Sequence, residues 1–129
     1  MTVYLDTSAL VKLVVIEKES RALRHFLRQA PDQCASALVR TELLRAVQRG
    51  GRAAFDEVRR VLQHVHLIQV SDAVLDAAGR LEPRTLRSLD AIHLATAARL
   101  APTLTALVTY DHRMADGAAA LGLAVVAPA

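Results

Sequence analysis

Cysteine occurs once, at Cys34, which rules out an intramolecular disulfide and any cysteine-built zinc cluster. Tryptophan is absent and aromatics make up only 3% of a chain that is 53% hydrophobic. The core therefore has to be aliphatic, packed from Leu, Val, Ala and Ile. No apolar run approaches the roughly 20 residues that a bilayer-spanning helix needs. The N-terminus lacks the basic segment and long apolar stretch of a secretory signal. A cytoplasmic protein without membrane contact is expected, and a lone thiol in an apolar setting fits a reducing compartment. Repeats, low-complexity tracts and linkers are also missing, so residues 1–129 are expected to form one domain with its own core. The formal net charge of +3 comes mainly from arginine; it tilts mildly toward a polyanionic partner, a bias many soluble proteins share.

Short β-prone runs at 3–5, 33–35, 66–70, 106–110 and 123–126 alternate with helical patterns at 8–14, 20–30, 36–49, 52–64, 73–81, 89–98 and 114–121. The helices end at recognisable stops: Pro31, Gly50-Gly51, Pro83 and Gly122. Strands alternating with helices predict an α/β fold, a central parallel sheet of about four or five strands with helices on both faces.

Four carboxylates stand at element ends or in apolar surroundings. Asp6 and Asp111 close the first and fourth predicted strands, Glu42 lies near the start of a helix, and Asp90 opens the apolar helix Leu89-Asp90-Ala91-Ile92-His93-Leu94-Ala95. Carboxyl ends of parallel strands share one sheet edge, and the helices that follow begin there, so all four can face one crevice. Each acid also has an ordinary reading: Asp6 and Asp111 as helix caps, Asp90 as a partner of a helix dipole, Glu42 as a surface pair with Arg45. Four acids in one cleft raise one another's pKa unless a cation joins them. An all-oxygen donor set suits Mg²⁺ or Mn²⁺ and not zinc. Such an ion activates water and neutralises charge on a phosphoryl oxygen.

The segments Leu5-Asp6-Thr7-Ser8-Ala9-Leu10, Thr41-Glu42-Leu43, Leu89-Asp90-Ala91-Ile92-His93-Leu94-Ala95 and Val108-Thr109-Tyr110-Asp111 resemble, in order and spacing, the four acidic motifs of PIN-domain ribonucleases. The chain length resembles that of the single-domain VapC toxins of bacterial toxin–antitoxin pairs. The resemblance implies a PIN fold and a Mg²⁺- or Mn²⁺-dependent endoribonuclease. It also implies restraint by a VapB-type antitoxin, within a toxin–antitoxin hetero-oligomer, and a homodimer whose paired clefts bind RNA. Asp6, Asp90 and Asp111 are then the metal ligands, and Glu42 holds water or a second cation. Thr109 and Ser8 support the carboxylates.

Other features divide between function and structure. Glu42, Arg45 and Arg49 fall at i, i+3 and i+7 of the predicted helix, a stripe that could lead RNA phosphates out of the cleft. His93 is expected to be a packed helix histidine with one nitrogen satisfied, and Asp116 to face solvent. His64, His66 and His112 are expected at the surface, as are Arg21, Arg24 and Arg28. Surplus apolar positions between Leu10 and Leu62 fit an antitoxin groove, a dimer face or plain core. Two other functions compete: a catalytically silent interaction domain on the same fold, and a phosphotransferase with Asp6 as nucleophile. The latter would want a second Asp where Ser8 stands, or a late lysine, and the only lysines are Lys12 and Lys18.

Overall fold

Thr2-Val3-Tyr4-Leu5 forms strand β1 (Thr2–Leu5), and Val3, Tyr4 and Leu5 are completely buried, as a strand covered on both faces must be. The computed structural model describes all residues, Met1–Ala129. After β1 come α1 (Thr7–Val14), α2 (Ser20–Arg28), β2 (Asp32–Ser36), α3 (Val39–Ala46), a 3₁₀ turn (Gln48–Gly50), α4 (Gly51–Leu62) and β3 (His66–Ile68). Then follow α5 (Asp72–Gly79), α6 (Ser88–Arg99), β4 (Leu104–Val108), α7 (His112–Ala120) and β5 (Val125–Val126). The strands make one sheet in the order β3-β2-β1-β4-β5, and every neighbouring pair is parallel. The chain steps outward from β1 to β3, then crosses back to lay β4 on the other side of β1. The crevice between the carboxyl ends of β1 and β4 is therefore where strand order reverses, the usual ligand position in such sheets.

Alternation along β1 splits the core. Val3 and Leu5 face a cluster with Ala9 and Leu10 of α1, Leu23 and Leu27 of α2, and Leu43 of α3. Tyr4 points the other way, to Leu107 of β4, Leu94 and Ala97 of α6, and Met114 and Ala118 of α7. Helix α5 lies outside α6, joined through Val74, Ala78, Ala91 and Ala95. Each fully buried Leu or Val is worth about 1.5–3 kcal/mol, so the two faces hold the sheet from both sides. No helix is long and apolar enough to cross a membrane.

Several boundaries differ from the sequence expectation, and hydrogen bonds explain the main shifts. The helix expected from residue 36 starts at Val39, because Ser36 and Ala37 stay with the sheet. The Ser36 amide donates to the Tyr4 hydroxyl, and the Ala37 amide to the Ile68 carbonyl. The same helix stops at Ala46, and the 3₁₀ turn leads to Gly51 at φ 61°, a left-handed conformation that a side chain would strain. The fourth strand runs Leu104–Val108, two residues earlier than expected, because the Tyr110 amide is taken by the Ser8 hydroxyl instead of a neighbouring strand. The third strand likewise ends at Ile68.

Candidate active site

Asp6 follows β1 directly and is the N-cap of α1: its Oδ1 accepts from the Ala9 amide at 3.0 Å and the Ser8 hydroxyl at 2.7 Å. Its Oδ2 accepts from the Thr109 hydroxyl at 2.5 Å. The capping reading holds, and the cap fixes the direction in which the carboxylate points. Asp6 is only 3% exposed. Burial drives its carboxyl above the usual range, against the pull of the bonds from Ser8, Thr109 and Ala9. Ser8 and Thr109 each spend their single proton on Asp6, so their 3.3 Å contact holds no second bond. Their oxygens accept in turn from the amides of Tyr110 and Asp111. Two hydroxyls thereby tie the end of β1 to the segment leaving β4.

Glu42, in the first turn of α3, does not pair with Arg45. Its Oε1 accepts from the Thr7 hydroxyl at 2.8 Å and meets His93 Nε2 at 2.6 Å. On the far side of the ring, His93 Nδ1 meets the Tyr4 hydroxyl at 2.7 Å, and that hydroxyl accepts from the Ser36 amide at 3.0 Å. The proton positions follow from counting donors. Glu42 as a carboxylate only accepts, so Nε2 carries hydrogen. The Tyr4 proton has one place to go, Nδ1. Burial pushes the Glu42 carboxyl up, but the bonds from His93 and Thr7 outweigh it and hold the group below its ordinary value. Burial raises the Tyr4 hydroxyl far above its usual range, so it stays a neutral donor. His93 is packed as expected, but with both ring nitrogens satisfied. No local motif signals the Tyr4 partnership; only the pairing of β1 with β2, and α6 beneath them, brings the groups together.

Asp90 sits half-buried in the first turn of α6. Burial and the Asp111 carboxylate raise its pKa, with Arg87 pulling partly the other way. Asp111 does not end a strand: it is exposed and N-caps α7, accepting from the Arg113 and Met114 amides. The four acids are therefore at one edge, each placed by a different element: β1, α3, α6 and the β4–α7 turn. No three His, Cys, Asp or Glu side chains are close enough to cage an ion by themselves. Magnesium does not require that, since one or two carboxylates with water and substrate phosphate suffice. Asp90 and Asp111 press on each other and Asp6 keeps a spare lone pair at the same edge, so one or two of these carboxylates, with water, could hold a hard divalent cation.

Arg45 and Arg49 are both exposed, but the stripe joining them to Glu42 does not form. Helix α3 ends at Ala46, and Arg49 lies in the 3₁₀ turn, so helical i+7 spacing does not reach it. Asp116 is exposed, as expected, and lines a cavity of about 510 Å³ that also contains Asp90. His64, His66, His112 and the Arg21, Arg24 and Arg28 run lie at the surface. Attack by Asp6 as a nucleophile is disfavoured, because three donors already hold the carboxylate and its 3% exposure leaves its spare lone pair to a small ion and not to an in-line phosphoryl group.

The PIN domain profile matches residues 3–120. Ribonuclease VapC46 of Mycobacterium tuberculosis is 53% identical over 98% of this chain and 97% of its own length. Ribonuclease VapC47 of the same species is 42% identical, covering 98% of this chain and 96% of that one. Among solved structures, the sarcin–ricin loop cleaving toxin VapC20 of M. tuberculosis superposes with a TM-score of 0.76 at 20% identity, over 98% of this chain and 99% of that one. VapBC2 from Rickettsia felis, bound to a DNA fragment from its promoter, gives 0.75 at 18% identity with both chains covered completely. At that identity the likeness is one of fold: the same single α/β domain with a five-stranded parallel sheet.

Proposed function

The chain belongs to the PIN-domain family, in its VapC branch, and on that premise we propose that it is a Mg²⁺- or Mn²⁺-dependent endoribonuclease, the toxin of a toxin–antitoxin pair. The observation that carries the reading is Asp6: a buried carboxylate held by three donors from both sides of the strand-order reversal, with Glu42, Asp90 and Asp111 along the same edge. Such an arrangement costs stability in the bare protein and is repaid when a cation is bound. The relatives' names add ribonuclease activity as the shared chemistry.

In this reading Asp6, Asp90 and Asp111 hold the ion, directly or through water. When bound it would supply charge neutralisation at the phosphoryl group and a lowered pKa for water. Glu42 keeps Oε1 on Thr7 and His93 and leaves Oε2 without a protein partner, so Oε2 is the atom suited to orient a water molecule or take its proton. The Tyr4–His93 pair fixes the plane of that carboxylate. Ser8 and Thr109 fix Asp6. No covalent enzyme intermediate is needed: water attacks the phosphodiester and one P–O bond breaks. A VapB-type antitoxin is the expected partner, and a homodimer the expected toxin form. The exposed Leu44 and Phe55 of α3 and α4, beside a cavity of about 420 Å³, are compatible with such contacts.

The test is cleavage of RNA by purified, antitoxin-free protein with Mg²⁺, Mn²⁺ or EDTA, beside Asp6→Asn. Metal-dependent cleavage that the variant lacks is expected. EDTA-resistant cleavage, or full activity in Asp6→Asn, would overturn the mechanism. Absence of cleavage on total cellular RNA with either metal would return the chain to the silent interaction domain.

A further inference from the structure

We infer that the cavity between the loop before α6 and the outer face of α7 is a nucleotide subsite, taking the residue next to the scissile phosphodiester with Arg87 and Arg113 on its phosphate. The inference rests on the nuclease reading above. Four observations converge. The cavity, about 510 Å³, opens directly beside Asp90 and is lined by Leu86, Arg87, Arg113, Asp116 and Ala120 among others. That volume is in the range of small-ligand sites. Both arginines are exposed, and neither belongs to any of the four ion pairs of the molecule, so their guanidinium forks are free for an anion. The arginines lie at the mouth nearest the acids in sequence: Arg87 is three residues before Asp90, and Arg113 two after Asp111. One turn of chain thus presents a carboxylate toward the proposed cation and a cation toward the substrate.

The remaining lining sorts the parts of a nucleotide. Leu86, Pro83 and the small α7 residues Gly117 and Ala120 offer a flat apolar wall for a base or ribose. Gly117 also lets α7 close on α6, since a β-carbon there would meet Leu94 Cδ1 at 2.6 Å. Asp116, an acceptor when ionised, suits an exocyclic amine or a ribose 2′-hydroxyl and repels phosphate. The phosphate is therefore held at the arginine end, adjacent to Asp90, and the base lies toward Ala120. With a divalent ion on Asp90 the local balance of two arginines against two aspartates turns positive, which favours an RNA backbone. A subsite that reads a flanking nucleotide gives the enzyme a sequence preference that the four acids, which meet only phosphate and water, cannot supply.

The test uses Arg113→Ala and Ala120→Trp, the second filling an exposed wall without touching the acids. Steady-state cleavage of a short mixed-sequence RNA is expected to show KM raised about tenfold in each, with kcat within about twofold of the parent. The thermal shift on adding Mg²⁺ is expected to be unchanged, which separates the subsite from the metal site. Unchanged KM in both variants, or a fall in kcat alone, would overturn the inference. Anisotropy binding of the same labelled RNA distinguishes the two levels of reading. If the parent binds without cleaving and Ala120→Trp abolishes binding, the subsite stands and the nuclease reading falls. If the parent cleaves and both variants bind as it does, the reverse holds.

Discussion

Replacing Tyr4 by Phe removes one oxygen from a side chain that is completely buried and changes almost no volume, so no cavity term enters. The oxygen serves two partners. It accepts from the Ser36 amide at 3.0 Å and donates to His93 Nδ1 at 2.7 Å. Ser36 is itself fully buried and His93 is 2% exposed, so neither can turn to water. An unsatisfied buried group costs about 1–3 kcal/mol, and two of them set the expected loss at about 2–6 kcal/mol. A domain of this size has about 5–15 kcal/mol in hand, so the variant folds and the loss is measurable. Urea unfolding followed by circular dichroism should show a lower midpoint with an unchanged slope. Activity should fall as well, because His93 loses the donor that fixes its tautomer and Glu42 loses its fixed plane. A stability loss below about 0.5 kcal/mol would refute the argument, since it would mean that the hydroxyl satisfies no buried partner.

Thr109→Val deletes the donor to Asp6 Oδ2 and the acceptor for the Asp111 amide. A loss of about 1–3 kcal/mol and weaker Mg²⁺-induced stabilisation are expected by thermal melting. Asp111→Asn keeps the N-cap of α7 and relieves Asp90, so the metal-free protein should be at least as stable as the parent; Asp111→Ala should lose about 1 kcal/mol with the cap. The two together separate charge from capping in a denaturant series. The carboxyls of Asp6 and Asp90 are raised by burial, Asp90 also by Asp111, so the folded state holds their protons more tightly than the unfolded chain. Their contribution therefore favours folding as pH falls from the raised values toward the ordinary carboxylate range. The lowered Glu42 acts oppositely, its contribution being lost as pH falls through its folded value. Added Mg²⁺ needs the ionised forms, so its stabilising effect should shrink on acidification; a Mg²⁺ shift independent of pH would remove Asp6 and Asp90 from the ligand set.

Much of the architecture was legible because the signals were local. The period of the apolar pattern, the Gly and Pro stops and the acids at element starts are written within a few residues of where they act, and they placed every strand and helix. The sheet order was not legible, because nothing in the short β4 or β5 says which edge it joins. The boundaries that moved did so through long-range bonds. Ser36 and Ala37 look like a helix start until the Tyr4 hydroxyl and the Ile68 carbonyl claim their amides, and Thr109-Tyr110 looks like strand until Ser8 takes the Tyr110 amide. The same limit applies at the candidate site. The acids were visible in their motifs, whereas the Tyr4–His93–Glu42 chain joins residues 89 and 51 positions apart. Arg49 missed its expected face because Gly51, with its positive φ, belongs to a turn that had already ended the helix.

The bond from Thr109 to Asp6 spans 103 positions, and this has a consequence in time as well as in space. As the chain emerges during synthesis, Asp6 is made 103 residues before its partner. Until β4 docks beside β1, the carboxylate lacks Thr109 and the Asp111 turn is not in place. A partly made chain thus lacks the assembled edge, which is completed only when β4 closes on β1. Ribosome-stalled chains halted before β4 should neither cleave RNA nor respond to Mg²⁺, and chains released after β5 should do both.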